Sequence, residues 1–177
     1  MKVYLARHGE SEGKRLFLGK ADPPLSAEGR RQSEVLAERL QQAGIRRIVS
    51  SGLARSVQTA EILAARLGTP AEADPRFDEI GYGAWDGLAW DEIERRWPDE
   101  VRRKIADWWG VTPAGGEPSA DFFARLRLGW NDLLAVDAPT LLVAHVGVNG
   151  VLKSWISGEE PLSFHQPCGD FFLLEPK

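Results

Sequence analysis

The stretch KVYLARHG, residues 2–9, carries the first strand signal in the chain. Residues 2–6 are apolar and partly β-branched, which is typical of a strand buried on both faces of a sheet. Arg7 and His8 follow at the point where such a strand runs out into a loop, and Gly9 ends the run. Two polar side chains at the end of a buried strand mark a candidate site.

The composition bounds the class of protein. The 177 residues fit one domain, and we interpret 1–177 as that domain, with a cap excursion over roughly 78–117. Apolar residues make up 43% and charged residues 27%, which is globular composition, and no apolar run is long enough to span a membrane. The net charge of −4 argues against a nucleic-acid partner. An acidic surface with several tryptophans allows a homodimer without requiring one.

The cysteine count limits redox and metal chemistry. Cys168 is the single cysteine, so no internal disulfide can form, and the sequence has no cysteine and histidine cluster suited to zinc. The residues after Met1 lack the pattern of a signal peptide. We therefore expect a cytoplasmic protein that uses no metal and no cofactor.

The strand signal recurs, and each strand is followed by a helix pattern. Ser26 is a candidate N-cap for a helix through about Ala43. IRRIVSS (45–51) is a second buried strand, and Ser51 is predicted to cap the helix that ends before Gly68. The sequence therefore predicts repeated strand–helix units.

The second half of the chain returns to this alternation after the excursion. Pro118 leads into a helix, TLLVAH (140–145) is a strand that ends in a histidine, GVNGVLKSWI (147–156) is a helix, and FFLL (171–174) is a last strand. This order predicts an α/β fold, a three-layer α/β/α sandwich with a mostly parallel central sheet and a small Trp-rich cap. Five tryptophans fall in the cap: Trp85, Trp90, Trp97, Trp108 and Trp109.

Polar residues from separate segments should meet at one edge of this sheet, because ligands bind at the carboxyl ends of parallel strands. Arg7, His8 and His145 stand at such ends, and Arg55 falls near the start of the helix assigned to Ser51 as N-cap. Guanidinium groups match phosphate oxygens, and imidazole is a nucleophile near neutral pH. The ligand that suits this set is a phosphate dianion.

Five segments in one order resemble the histidine phosphatase superfamily, the phosphoglycerate mutase-like proteins. They are ARHGE (6–10), LGKADPPLSAEGRRQ (18–32), SSGLARSVQTA (50–60), DEIGYGAWDG (78–87) and PAGGEPSADF (113–122). One short motif would be a weak signal, but five in order cover nearly the whole chain. The resemblance implies the phosphoglycerate mutase-like fold and phosphoryl transfer.

The resemblance also implies a role for each matched residue. His8 would take the phosphoryl group, and Glu79 would donate a proton to the leaving oxygen and later accept one from water. The residues implied to bind and stabilise the phosphoryl group are Arg7, Arg55, His145 and the backbone N–H of Val146. The substrate implied is a small phosphate ester.

Glu79 is one of several carboxylates in its region. It can act as an acid near neutral pH only if its pKa is raised, which a bound phosphate and apolar neighbours would do. Asp78, Asp86 and Glu117 are near in sequence, and an isolated glutamate here would more often be a surface carboxylate. The motif favours Glu79.

Two positions depart from the family pattern. Lys14 stands where many members carry an asparagine, and Val146 replaces the first glycine of a His-Gly-Gly stretch. Val146 can still offer its N–H if its φ is negative, whereas a positive φ would be strained. Lys14, Ser11 and Gly9 are expected as secondary contacts, with Gly9 serving backbone conformation as the loop turns away.

Several of these residues also have a purely structural interpretation. Without the other motifs, Arg7 and His8 would be an ion pair or a capping pair at a strand end. The tryptophans are more often packing residues than a ligand platform, yet they could wall a pocket for an aromatic leaving group. For His165 and Cys168 we favour a simple turn into the last strand.

The chemistry leaves the reaction open, because water or a second hydroxyl can take the phosphoryl group. The short segment 79–115 and the lack of a long C-terminal tail favour hydrolysis over phosphoglycerate mutase activity. The length and PAGGEP (113–118) resemble small α-ribazole-5′-phosphate phosphatases of cobalamin nucleotide-loop assembly. A broad-specificity phosphatase and a phosphate-binding module without turnover are the alternatives.

Overall fold

The computed structural model describes residues 1–176, which form five strands and six α-helices. The strands are β1 (Val3–Arg7), β2 (Arg47–Ser50), β3 (Ala71–Ala73), β4 (Thr140–Ala144) and β5 (Phe171–Leu174). The helices are α1 (Ala27–Leu40), α2 (Ala54–Leu67), α3 (Trp90–Arg96), α4 (Pro98–Ala106), α5 (Ser119–Leu134) and α6 (Val146–Ser157).

The strands form one sheet in the order β3-β2-β4-β1-β5. The first four are parallel, and β5 runs antiparallel to β1 at the edge. In the register Arg7 lies opposite Ala144, and Ser50 lies opposite Val143. The carboxyl ends of β1, β2 and β4 therefore meet at one edge of the sheet, as predicted.

Two hydrophobic cores cover the two faces of the sheet. Alternate residues of β1 divide between them, since Tyr4 and Ala6 join one core and Val3 and Leu5 join the other. The first core contains buried residues of α1 and α2, and the second contains buried residues of α5 and α6. This arrangement confirms the predicted three-layer sandwich with a mostly parallel sheet.

Capping explains the start of α1. The Ser26 side chain accepts a hydrogen bond from the backbone N–H of Gly29 at 3.1 Å, which confirms the predicted N-cap. The helix ends at Leu40, earlier than the predicted Ala43, and Gly44 takes a φ of 66° in the turn that follows. Gly68 closes α2 in the same left-handed conformation, as its position predicted.

The predicted cap of α2 is wrong. The helix begins at Ala54, three residues after Ser51, and Asp22 accepts from the Ala54 N–H at 2.7 Å. A carboxylate from a distant loop thus satisfies the helix N-terminus. Ser51 is free to bind another group, described below.

The remaining helices and strands follow the predictions closely. Pro118 precedes α5, and the segments 140–145 and 171–174 contain β4 and β5. Helix α6 extends one residue beyond each end of the predicted segment 147–156. The short edge strand β3 was not predicted, because its three residues are all exposed and carry no hydrophobic pattern. Within residues 1–176, no helix combines the length and apolar character that a membrane crossing needs.

The Trp-rich excursion folds onto the α5 and α6 side of the sheet. It contains α3 and α4, and Trp85 is fully buried in that core. The other four tryptophans pack partly buried against the same core. They anchor the excursion through burial of apolar surface.

Candidate active site

A cavity of about 460 Å³ opens at the carboxyl ends of β1 and β4. Five residues predicted from distant segments line it together: Arg7, His8, Arg55, Glu79 and His145. The parallel register brings the first and last of these into proximity, because β1 and β4 are neighbours. The sheet topology therefore assembles the predicted set in one place.

One ring nitrogen of His8 is bound to the backbone, and the other is free for a ligand in the cavity. Its Nδ1 lies 2.7 Å from the carbonyl oxygen of Gly9, and a carbonyl can only accept, so Nδ1 carries the proton. Nε2 is left with its lone pair. Burial, and then the positive charge of Arg55, lower the pKa of His8 to about 3. The ring is therefore neutral and able to act as a nucleophile.

Close backbone packing, and not a turn, explains the glycine after His8. Gly9 does not take a positive φ, so the space around its Cα, and not its φ, requires a glycine. A Cβ at Gly9 would lie 2.3 Å from the carbonyl oxygen of Gly29, and a Cβ at Gly29 would lie 1.9 Å from that of Glu10. The two glycines let the loop after β1 pack directly on the first turn of α1.

His145 is held through its other ring nitrogen, Nε2. Its Nε2 lies 2.7 Å from the Ser51 hydroxyl oxygen, which also accepts from the Leu53 N–H at 3.3 Å. The hydroxyl hydrogen has no other acceptor among the described residues, so we assign it to Nε2 and the ring proton to Nδ1. Nδ1 is buried without a partner among the described residues. Burial and Arg55 lower the pKa of His145, so a neutral N–H donor results.

Arg55 is almost fully buried, at 1% exposure. Its guanidinium donates to the carbonyl oxygens of Ala21 at 2.8 Å and Gly19 at 3.1 Å. The Nε atom is buried without a partner in the described chain. A buried guanidinium with an unused N–H is suited to an anion, which would satisfy both its charge and its donor.

Arg7 is positioned by a residue that sequence reasoning missed. It donates to the backbone carbonyl of Gln166 at 2.7 Å, and its Nε is buried without a partner in residues 1–176. The Gln166 side chain in turn binds the Leu5 carbonyl at 2.8 Å and the Asn149 amide at 2.9 Å. No pattern signals this link, because its atoms are largely backbone atoms far apart in sequence.

Glu79 is buried at 5% exposure, with both carboxyl oxygens occupied. One accepts from the Ile80 N–H at 3.0 Å, and the other accepts from the Gly147 N–H at 3.0 Å. Burial raises the pKa of Glu79, and these two hydrogen bonds with Arg55 oppose the rise only in part. The carboxyl is thus biased toward the protonated form that a general acid requires.

The rival carboxylates are engaged elsewhere and do not line the cavity. Asp78 accepts from the Gly52 N–H and from Lys20. Asp86 accepts from backbone N–H groups of the loop before α1, and Glu117 pairs with Arg125. Glu79 alone among them faces the site.

Comparison with known proteins decides the family. The model of the histidine phosphatase superfamily (branch 1) matches residues 3–169. The chain belongs to the histidine phosphatase superfamily. It is 34% identical over 168 residues to a Yersinia enterocolitica protein named "Probable phosphoglycerate mutase GpmB", covering 91% of this chain and 77% of the relative. The protein of that name from Proteus mirabilis is 36% identical over 169 residues, covering 89% and 75%.

Solved structures show the same fold for this histidine phosphatase. The α-ribazole phosphatase from Shigella flexneri superposes with a TM-score of 0.90 at 24% identity, covering 100% of this chain and 91% of that one. A mycobacterial glucosyl-3-phosphoglycerate phosphatase superposes with a TM-score of 0.87 at 29% identity, covering 98% and 89%. The mostly parallel α/β sandwich is common to all of them.

The departure at Val146 leaves the histidine phosphatase site intact. Val146 begins α6 with an ordinary negative φ, and its backbone N–H has no partner among the described residues. It lines the cavity, where a helix N-terminus favours an anion. The glycine that sterics require is Gly147, because a Cβ there would lie 2.5 Å from a Glu79 oxygen.

Lys14 and Ser11, which were expected as secondary contacts, line the cavity. Lys14 is largely exposed and pairs with Glu10 at 3.1 Å, and Ser11 is buried opposite Leu25. Cys168, which we interpreted as part of a simple turn, also lines the cavity. Burial raises the pKa of its thiol, which keeps it protonated and unreactive.

The five tryptophans are packing residues, which was the favoured interpretation, and they do not form a pocket wall. None of the five tryptophans lines the cavity, whereas Phe17 and Tyr82 do. Their rings lie 4.4 Å apart between centroids, and Trp90 and Trp108 pack behind Phe17 at 5.6 and 6.2 Å. The tryptophans therefore support an aromatic wall that other residues form.

In residues 1–176 no group of three or more metal-ligating side chains is placed to hold an ion. Arg7 and Arg55 contribute positive charge to the cavity, in addition to Lys14 and Arg15. His145 and Val146 contribute N–H donors. Such fixed donors suit a phosphoryl group, whose transfer depends mainly on positioning and charge stabilisation.

Proposed function

We propose that the protein is a phosphomonoesterase that acts through a phosphohistidine at His8. The observation that carries this proposal is the neutral His8 ring, whose free Nε2 shares a cavity with two arginines. Each arginine keeps one buried Nε–H without a partner in residues 1–176. Together they would hold the phosphoryl oxygens while Nε2 attacks.

The first half-reaction moves the phosphoryl group to the histidine. Nε2 of His8 forms a bond to phosphorus, and the bond between phosphorus and the ester oxygen breaks. The proton of Glu79 passes to that oxygen, so the substrate leaves as an alcohol. The Gly9 carbonyl, which accepts from Nδ1–H, stabilises the positive charge that the phosphorylated ring acquires.

The second half-reaction releases inorganic phosphate. A water molecule attacks phosphorus, and ionised Glu79 accepts its proton. The bond between phosphorus and Nε2 breaks, which restores neutral His8 and protonated Glu79. One buried carboxyl thus serves as acid in the first step and as base in the second.

For the substrate we propose α-ribazole-5′-phosphate. The Phe17 and Tyr82 rings form an aromatic wall that suits a benzimidazole base, and about 460 Å³ accommodates a small nucleotide-like molecule. The enzyme would then serve cobalamin nucleotide-loop assembly in the cytoplasm. A broad-specificity phosphatase would use the same wall for other aromatic esters.

A glycerate-type phosphate is the second candidate, for hydrolysis or for phosphoglycerate mutase activity. Lys14 and Arg15 line the mouth of the cavity and could bind a carboxylate on the leaving group. This position of two cations agrees with the relatives named phosphoglycerate mutase.

A substrate panel tests the proposal. We would compare kcat/KM for α-ribazole-5′-phosphate, 3-phosphoglycerate primed with bisphosphoglycerate, and glycerol 2-phosphate, all with excess chelator. We expect phosphate release to be fastest with α-ribazole-5′-phosphate, and Phe17→Ala to lower only that value, by about tenfold. Isomerisation faster than phosphate release would identify a mutase. Binding without any phosphoenzyme would identify a module without turnover.

A further inference from the structure

Arg125 and Glu117 form a polar cluster behind the cavity, outside the set of lining residues. Arg125 lies on α5 and is partly buried, and Glu117 lies just before that helix. The guanidinium makes a two-point contact with the carboxylate, with Nε at 2.6 Å from one oxygen and Nη2 at 2.8 Å from the other. This geometry is the bidentate pairing that arginine favours.

The remaining Arg125 donors bind the segment that carries Glu79. Nη1 donates to the backbone carbonyls of Arg76 at 2.8 Å and Asp78 at 2.7 Å, and Nη2 donates to that of Glu79 at 3.2 Å. With the two bonds to Glu117, all five N–H donors of the guanidinium are used. A lysine, which has three donors, could not replace this pattern.

Glu117 holds the same segment from its other end. Its backbone N–H donates to the Gly81 carbonyl at 2.8 Å, and its carboxylate accepts from the Gly81 N–H at 3.2 Å. Backbone groups on both sides of Glu79 are thereby fixed by one ion pair. The Glu79 side chain reaches the cavity from this fixed segment, and its carboxyl meets Gly147 on α6.

We propose that the Arg125–Glu117 pair is the positioning device for the proton donor Glu79, an inference that rests on the proposed function. Neither residue touches the substrate cavity, so the pair acts through the backbone of residues 76–81. Proton transfer to a leaving oxygen depends on a placement of the acid accurate to a fraction of an ångström. The pair therefore supports the step that protonates the leaving group and leaves attack by His8 unaffected.

The test compares leaving groups in Arg125→Gln, Glu79→Gln and the double variant. Arg127→Gln is the matched control, because Arg127 lies exposed on the same helix and stacks on Trp155. We expect Arg125→Gln to lower kcat on an alkyl phosphate by about 10- to 100-fold. On p-nitrophenyl phosphate, whose leaving group needs little protonation, we expect a much smaller loss. The double variant should lose no more on the alkyl ester than Glu79→Gln alone.

Several outcomes would overturn the inference. Equal losses on both esters in Arg125→Gln, or losses that multiply in the double variant, would show a general structural role while leaving the role of Glu79 in place. If the activity loss in Glu79→Gln did not depend on the leaving group, Glu79 would not be the proton donor. The positioning role of the Arg125–Glu117 pair would then be ruled out as well. If Arg125→Gln does not fold, Arg125→Lys carries the same comparison, with a smaller but equally selective loss expected.

Discussion

The rings of His8 and His145 lie 5.0 Å apart, and the protein engages a different ring nitrogen of each. The Gly9 carbonyl keeps the proton of His8 on Nδ1, and the Ser51 hydroxyl keeps that of His145 on Nδ1 by occupying Nε2. His8 therefore offers a lone pair at Nε2, and His145 offers a donor at Nδ1. In the proposed mechanism, His8 is the nucleophile and His145 is a donor to the phosphoryl oxygens.

The tautomer of His145 can be tested through its serine partner. Ser51→Ala removes the hydrogen bond to Nε2, and the ring proton can then move away from Nδ1. We expect kcat to fall by about 10- to 100-fold on alkyl and aryl esters alike. Ser56→Ala is the matched control, since its hydroxyl lies 3.4 Å from the same nitrogen, and it should have a smaller effect. Equal losses in the two variants would contradict the assignment.

The depressed pKa of His8 makes stability depend on pH. Above pH 6.5 the ring is neutral in the folded and unfolded states, so it contributes no pH dependence. Between pH 6.5 and about 3, His8 is protonated in the unfolded state and neutral in the folded state. The free energy of unfolding therefore falls as pH falls. The slope is about 1.4 kcal/mol per pH unit for one such histidine.

The check is urea unfolding of the wild type and His8→Gln between pH 7.5 and 5. In His8→Gln we expect the free energy of unfolding to change less steeply with pH, by the contribution of one histidine. The remaining slope is due to His145, whose pKa is also lowered. His165→Gln, at an exposed position, is the control and should follow the wild type. Parallel slopes for all three proteins would show that His8 titrates normally.

The raised pKa of Glu79 predicts the alkaline side of the activity profile. As pH rises through this pKa the buried acid loses its proton, so kcat on an alkyl ester should decline. Glu79→Gln should show a plateau lower by about 100-fold or more and without that decline. Ratios of variant to wild type on one substrate cancel the ionisation of the ester itself. A decline that persists in the variant would assign it to another group.

Substitution of Gly147 tests whether the space beside Glu79 requires a glycine after Val146. Gly147→Ala adds a Cβ that would lie 2.5 Å from a Glu79 oxygen, although alanine favours a helix. We expect kcat on alkyl esters to fall by about 10- to 100-fold while the melting temperature changes little. Val146→Gly, which restores the family residue, should leave kcat nearly unchanged because the backbone N–H remains. Full activity of Gly147→Ala would show that Glu79 has room to move.

The fold was predictable where hydrophobic pattern and capping agree. Ser26, Gly68 and the apolar runs before Arg7 and at 140–144 each act locally, so the strands, the helices and the shared sheet edge followed from sequence. Ser51 was misassigned because its partner is 94 residues away, and the true cap of α2, Asp22, comes from a distant loop. Tertiary contacts overrode local preference at both positions.

The sequence predicted which residues form the site but not which residues hold them in position. Arg7, His8, Arg55, Glu79 and His145 stand in motifs, and the structure places them around one cavity. The supporting residues are Gln166, Arg125 and Glu117. Each contact that they make to the site includes a backbone carbonyl or N–H group, and such groups have no signature in the sequence. The rings of the aromatic wall were not predicted for a related reason, since burial and not composition decides which ring faces the ligand.

In the mechanism that we propose, the phosphoryl group passes through Nε2 of His8. Rapid quenching of a slow ester turnover in alkali, followed by peptide mass spectrometry and phosphorus NMR, would locate the transient label. We expect an alkali-stable, acid-labile phosphoryl group on Nε2 of His8 that forms and decays at rates consistent with kcat, and none in His8→Gln. Phosphate release by His8→Gln at the wild-type rate, or a label on any other residue, would contradict it.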